Sequence, residues 1–439
     1  MPFTSRRDFL TGLTGLTGVA TSASVAFPML SERAFGQLFQ AESIAGDRDA
    51  QSVAEDEAYW SAIQRAFDAD RTMINLNNGG ISPAPSHVLD QLFRDLRFVN
   101  ELPVEHNWRI LEPRMESTRR ELAKEFGCDA EEMAVTRNAS EGLEICILGL
   151  ELQRGDEVII TNQNYGRMIQ TWEQRVRRDG IVLKQVAFPV PLTDPQVLVQ
   201  RIREAMTPRT KAIELPHITN LTGQILPIRD VVRLARPRNI PVIVDGAHAF
   251  AHFPFTRDEL ECDYYATSLH KWLHAPIGAG FLYVRKEKIK ALWPMMAAGP
   301  ELDDNIRKFE QIGTHPQANF NAVSAAMTFH RGIGAERKIA RLRYLRDRWA
   351  NALMAESPRV KVPTELGPAK AGAIGFLQVD GLDPVQLGGW MMNKYRIVNT
   401  PIVHPEFKGI RITPSIYTTV DEIDTFIGAV RTAIRTGIA

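Results

Sequence analysis

The chain has 439 residues, 44% hydrophobic and 24% charged, enough for one large core and a smaller second unit. Its 52 basic and 52 acidic side chains balance to a formal charge of zero, which argues against nucleic acid or an anionic membrane surface as a partner. Cys128, Cys146 and Cys262 form no CxxC pair, so neither a zinc site nor a disulfide framework is indicated, and no metal is expected.

Ser5, Arg6, Arg7, Asp8, Phe9 and Leu10 have the form of a twin-arginine export signal, and Leu10 to Leu30 is uncharged, small and moderately apolar. The expectation is a signal peptide over 1–36, with cleavage after Ala26 or Gly36. The folded chain would leave through the twin-arginine export machinery and work in the periplasm. Residues 37–75 follow as an N-terminal linker and helix: Gln37 to Gln51 is polar and weakly periodic, and Val53 to Asp70 has helical spacing of Ala58, Tyr59, Ile63, Ala66 and Phe67.

A large domain is expected over 76–335. Asn78, Gly79, Gly80 and Ile81 form a turn before a proline-initiated helix, and paired glycines either let the backbone pass close to a ligand or simply make a surface turn. Glu101 to Trp108 is irregular, and Ile110 to Phe126 is an amphipathic helix. Glu132 to Val135 leads into Thr136, Arg137, Asn138, Ala139, Ser140, Glu141 and Gly142, where a serine at a helix start serves equally as a cap or as a phosphate ligand. Strands at Glu157 to Thr161, Ile181 to Val186, Lys211 to Leu215 and Pro241 to Asp245 alternate with helices, which predicts a mostly parallel sheet between helical layers.

The core of that pattern runs from Pro241 to Arg285. Val242 to Val244 is an apolar strand ending in Asp245, and open α/β sheets bind ligands at that edge. A second β-prone run, Tyr264 to Thr267, ends in Ser268, Leu269, His270 and Lys271, and an apolar strand follows over Gly278 to Val284. A strand-tip carboxylate and a lysine at the next strand end are what pyridoxal 5'-phosphate (PLP) chemistry requires: the lysine forms the Schiff base and the carboxylate pairs with the ring nitrogen. After Arg285 a helix through Trp293 is expected, then a long helical region from Asn319 to Glu356. A compact α+β C-terminal domain over 336–439 has short strands at Arg359 to Val362, Ala373 to Val379 and Gly409 to Thr413, the last carrying Arg411.

The motifs Asp245-Gly246-Ala247-His248, Ser268-Leu269-His270-Lys271-Trp272-Leu273, Thr136 to Gly142, Asn77 to Pro83 and Ile410 to Thr419 together resemble the class V aminotransferase family of fold-type I PLP enzymes, in its isopenicillin N epimerase-like branch. The resemblance implies that Lys271 holds PLP and Asp245 stays ionised against its ring nitrogen. It also implies that His248 and Asn220 lie at the phenolic oxygen and that Tyr165 stacks on the ring. Ala139, Ser140, Ser268 and His270 would hold the phosphate, with Gly313 and Thr314 reaching it from the other subunit of a homodimer with shared active sites. Arg411 would take the α-carboxylate of an amino-acid-type substrate, beside Gly79 and Gly80. Relatives often have Asp-His where this chain has Asn162-Gln163.

The reaction expected on this resemblance is at Cα of an amino acid or amino-acid-containing metabolite, of the epimerase or aminotransferase type. A C–S or other β-elimination lyase is the alternative, and a non-catalytic PLP-fold binding protein is the alternative of another class. Persulfide-forming desulfuration needs a nucleophilic cysteine shortly before the carboxylate arginine, and none follows Cys262. Epimerisation needs a proton donor opposite Lys271, for which His217, His274 and His404 are available by type.

Overall fold

The computed structural model describes residues 32–438. The expected export signal falls mainly on residues 1–31, outside the described residues. The central sheet has seven strands: β1 (Met133–Thr136), β2 (Glu157–Thr161), β3 (Val182–Val186), β4 (Thr210–Pro216), β5 (Val242–Asp245), β6 (Tyr264–Ser268) and β7 (Gly280–Val284). Their spatial order is β1-β7-β6-β5-β4-β2-β3, parallel throughout except for β7, which runs antiparallel to both neighbours. β5, β6 and β7 are buried along their whole length, as strands with helices on both faces must be. The architecture is the expected fold-type I one: a mostly parallel sheet between helices, plus a smaller α+β lobe.

That lobe is built on an antiparallel sheet of β8 (Val360–Lys361), β9 (Gly375–Val379), β10 (Thr400–Val403) and β11 (Lys408–Ile412), ordered β10-β11-β9-β8. β10 is absent from the sequence reading because Pro401 and Pro405 break its β pattern. It lies at the sheet edge, where a proline's missing N–H costs nothing. The helix Ala335–Glu356 joins the two lobes. Ile339 and Leu342 belong to the large core, whereas Leu345, Trp349 and Leu353 belong to the small one.

Several local expectations are corrected. Residues 37–51 are not a linker: a helix spans Glu32–Ala45, with Leu38, Ala41 and Ala45 buried and the polar residues between them facing out. Two helices, Ala50–Ala54 and Glu57–Gln64, replace the single one, because the Asp49 and Asp56 carboxylates each accept backbone N–H bonds and start a new helix. Glu105–Leu111 is a widened π-helical turn leading into the helix Glu112–Phe126, since Pro113 has no N–H to return to the ladder. The helix expected through Trp293 is a short 3-10 turn, Lys286–Lys288. Beyond it the Trp293 N–H donates to the Gly149 carbonyl at 3.1 Å, and a Cβ at Gly149 would meet the Trp293 oxygen at 2.1 Å.

Ile74 and Asn75 pair in parallel with Ile397 and Val398, Leu76 packs in the small core, and Asn77 bridges to Thr413. This short stretch belongs by packing to the C-terminal lobe and delivers the Asn77 to Pro83 motif to the mouth of the large sheet.

Candidate active site

The C-terminal tips of β4, β5 and β6 and the N-terminus of the helix Ala139–Gly149 face the small lobe, and the motif residues meet there. Asp245 ends β5. Its buried Oδ1 accepts the Ala247 N–H at 2.9 Å, and β6 clamps the turn after it, where the Gly246 N–H donates to the Ala266 carbonyl at 2.8 Å. Gly246 is obligatory, because a Cβ there would sit 1.9 Å from the Tyr265 ring. Burial pushes the Asp245 carboxyl up, opposed by the Ala247 N–H and the Lys271 charge. Such a carboxylate calls for a cationic partner.

Lys271 supplies part of that charge. Its half-buried amine lies 3.3 Å from His248 Nε2. Burial and the Arg411 charge lower its pKa to about 8, with burial the larger cause and Asp245 opposing both. A neutral amine at near-neutral pH is what a lysine nucleophile needs. His248 is held neutral, its pKa well below the ordinary value through burial first and the Lys271 charge second, and its buried Nδ1 has no partner among the described residues.

The phosphate candidates surround the start of the helix Ala139–Gly149. Ser268 Oγ, at the tip of β6, accepts the Ala139 N–H at 2.9 Å, and Asn138 Oδ1 caps the helix through the Glu141 N–H at 2.9 Å. The Ser140 N–H and hydroxyl bond to none of the described residues. His270 Nδ1 is buried with no partner among the described residues, and burial holds its pKa at about 4. A helix N-terminus with a free N–H and two hydroxyls fits a phosphate. The unpartnered ring nitrogens and the buried Asp245 fit an aromatic cofactor bearing polar atoms at its rim.

Arg411, on β11, closes the site from the small lobe. It is 7% exposed, donates from Nη1 to the Asn220 carbonyl at 2.9 Å and from Nη2 to Asn77 Oδ1 at 2.7 Å, and lies 3.4 Å from Thr400 Oγ1. Burial lowers its pKa to about 10, so it remains a cation, with the neighbouring Tyr165 phenol opposing the shift. Tyr165 is 41% exposed at the start of the helix Gly166–Asp179. Gly79 lies between Thr413 and His248: a Cβ on it would be 3.0 Å from Thr413 Cγ2 and 3.5 Å from His248 Cε1. Gly80 packs against the Asn77 side chain.

Not every candidate enters this cluster in the expected way. Asn220 joins it through its backbone carbonyl, and its side-chain amide bonds to none of the described residues. Gly313, at φ +81°, and Thr314 are exposed, and neither bonds to the cluster among the described residues. His217 is caged by Phe253, Phe255 and Tyr265, with its pKa down at about 3, and His274 is buried against Phe67. Burial lowers the pKa of both, with the Lys338 charge adding to it at His274. His404 sits where β10 ends, 3.2 Å from the Asn162 carbonyl. Cys146 and Cys262 are buried, and burial raises the Cys262 thiol to about 12, so neither is a nucleophile.

Three further residues stand beside the cluster without a signal of their own in the sequence. Asn77 was visible only as part of the glycine turn. Glu214 on β4 is fully buried, accepts from Trp172 Nε1, and has its pKa raised to about 8 by burial first and by the nearby Asp245. His252 accepts the Ala373 N–H at 2.7 Å from the small lobe, stacks on Trp272 at 3.6 Å, and contacts the His248 carbonyl at 2.7 Å.

Comparison with known proteins agrees with this geometry. The model of the family described as Aminotransferase class-V matches residues 74–400. Isopenicillin N epimerases from Streptomyces clavuligerus and Amycolatopsis lactamdurans are each 28% identical, over 85% of this chain and 98% of theirs. Hercynylcysteine sulfoxide lyase from Schizosaccharomyces pombe is 24% identical over 65% of this chain and 76% of its own. Among solved structures, a C-DES mutant with glycine covalently linked to its PLP cofactor superposes with a TM-score of 0.75 at 21% identity, over 84% of this chain and 98% of that one. Escherichia coli cysteine desulfurase CsdA gives 0.73 at 20% identity, over 85% of this chain and 98% of its own. The fold, the lysine and carboxylate at adjacent strand tips, and the family match lead to one assignment: the chain belongs to the class V aminotransferase family, and its cofactor is pyridoxal 5'-phosphate.

Proposed function

We propose that this protein moves a proton at Cα of an amino acid or amino-acid-containing metabolite, with epimerisation the favoured outcome and transamination the related one. The observation that carries the reading is the grouping of Lys271, Asp245 and Arg411: an amine with a pKa of about 8, a buried carboxylate and a buried cation within one cleft. The residues that would hold PLP are Lys271 covalently, Asp245 at the ring nitrogen, His248 and Asn220 at the phenolic oxygen, and Ala139, Ser140, Ser268 and His270 at the phosphate. When bound, the cofactor supplies an electron sink for the carbon that bears the substrate amine.

The chain's own residues do the rest. Arg411 takes the substrate carboxylate and so fixes which face of Cα meets Lys271. Lys271, neutral above about pH 8, accepts the Cα proton and can return it. The likeness to two isopenicillin N epimerases over almost their whole length supports epimerisation. The hercynylcysteine sulfoxide lyase relative supports β-elimination as the second reading. The homodimer, the periplasmic location and the export route belong to the same proposal.

The deciding experiment incubates the PLP-loaded protein with amino-acid panels in deuterated water. Cα deuteration with racemised product is the expected result. Keto acid formation points to transamination, ammonia with pyruvate points to elimination, and no exchange with any amino acid contradicts the proposal.

A further inference from the structure

Arg411 comes to its ligand already engaged. Nη2 holds Asn77 Oδ1 at 2.7 Å and lies 3.4 Å from Thr400 Oγ1, Nη1 holds the Asn220 carbonyl at 2.9 Å, and the buried Nε has no partner among the described residues. A guanidinium offers two edges with paired, parallel N–H groups, Nε with Nη2 and Nη1 with Nη2. Both include Nη2, the nitrogen that Asn77 occupies. Any carboxylate taken bidentately by Arg411 therefore lands beside the Asn77 amide.

The main chain of Asn77 is fixed. The Thr413 N–H donates to the Leu76 carbonyl at 2.7 Å, the Asn78 N–H donates to the Thr413 carbonyl at 3.2 Å, and Asn78 Nδ2 donates to that same oxygen at 3.0 Å. Thr413 lies two residues beyond Arg411, so amide and guanidinium ride on one piece of scaffold. Downstream, the Ser82 N–H donates to the His270 carbonyl at 3.1 Å, which anchors the other end of the turn. Asn77 Nδ2 bonds to none of the described residues, which leaves an N–H donor next to the arginine fork.

We infer that Asn77 is a specificity-determining residue for the substrate carboxylate. It rests on the reading of Arg411 as the carboxylate site. The neutral amide orients the guanidinium through Oδ1, offers Nδ2 to the incoming anion, and leaves the arginine charge unspent. An aspartate here would neutralise that charge and repel the ligand, although it is nearly the same size.

The test uses the PLP-loaded protein and two small amine reagents that capture the cofactor: aminooxyacetate, which carries a carboxylate, and methoxyamine, which does not. Their rate constants are read from the cofactor absorbance in wild type, Asn77→Asp, Asn77→Ala and Arg411→Lys. Wild type should prefer aminooxyacetate. Asn77→Asp should cut that preference, read as the ratio of the two rate constants within the one variant, on the order of 100-fold. Asn77→Ala should cut it about tenfold, the loss of one hydrogen bond to a charged group. If Arg411→Lys lowers the preference and Asn77→Asp leaves it unchanged, the role of Asn77 is refuted while the carboxylate reading stands. If Arg411→Lys leaves it unchanged, both are refuted. A matching fall in the methoxyamine rate of Asn77→Asp would also refute the inference, because a structural defect slows both reagents.

Discussion

Lys271 Nζ lies 3.3 Å from His248 Nε2, and neither group is charged in the ordinary way: the amine is held at a pKa of about 8 and the imidazole is held neutral by the same burial. Because burial disfavours the protonated amine, the neutral form prevails above about pH 8 rather than above the usual lysine range. The rate of PLP uptake by cofactor-free protein should therefore rise with pH through a midpoint near 8. Asp245→Asn removes the anion that supports the ammonium form and should move the midpoint lower. Stopped-flow absorbance measures both, and a midpoint near 10 would contradict the stated environment.

Ser268, proposed as a phosphate ligand, connects β6 to the start of the helix Ala139–Gly149 through the Ala139 N–H. Ser268→Ala should weaken PLP retention by roughly 1.5–3 kcal/mol, the worth of a hydrogen bond to a charged group. Equilibrium dialysis would show this as a fall of about tenfold to a hundredfold. Retention equal to wild type would remove Ser268 from the phosphate site.

Gly246 is the tightest point of the Asp245 turn. Gly246→Ala drives a methyl group into the Tyr265 ring and should destabilise the fold at or beyond the upper end of the ~1–3 kcal/mol typical of overpacking. Thermal unfolding of the variant at neutral pH checks this, and an unchanged Tm would mean that the turn is free to move.

Glu214 gives the chain a pH-dependent stability. Its folded-state pKa of about 8 lies above the unfolded value, so the folded protein binds the extra proton between roughly pH 4.5 and 8. The stabilisation is full below that window and lost as pH rises through 8. Compared with Glu214→Gln, which cannot titrate, the wild type should lose denaturant stability between pH 5 and 8. Parallel pH profiles of the two proteins would contradict a protonated Glu214.

The segment around Arg6 and Arg7 is proposed as a twin-arginine signal. Arg6→Lys with Arg7→Lys should leave the protein in the cytoplasmic fraction of the producing cell, and continued export of the double variant would refute it.

How much of this was legible in the sequence depended on whether the information is local. Asp245 and Lys271 each end a β-prone run, so their places at one sheet edge followed from the strand pattern. The motifs of Ser140 and Ser268 likewise place them at a helix start and a strand tip, where the structure has them. The Arg411–Asn77 pair was not legible, because the partners are 334 residues apart and meet only when the strand at Ile74 joins the small lobe. Glu214 interrupts an apolar strand, and only the helices on both faces of β4 reveal that it is buried. The helix Glu32–Ala45 carries a weak signal because its apolar face, Leu38, Ala41, Ile44 and Ala45, is half alanine and set among polar residues.

The central claim is that Lys271 carries the cofactor. The PLP-loaded protein, reduced with borohydride, digested and mapped by mass spectrometry, should yield one modified peptide with the cofactor mass on Lys271. Modification of another lysine, such as the buried Lys338, or of none, would contradict the account.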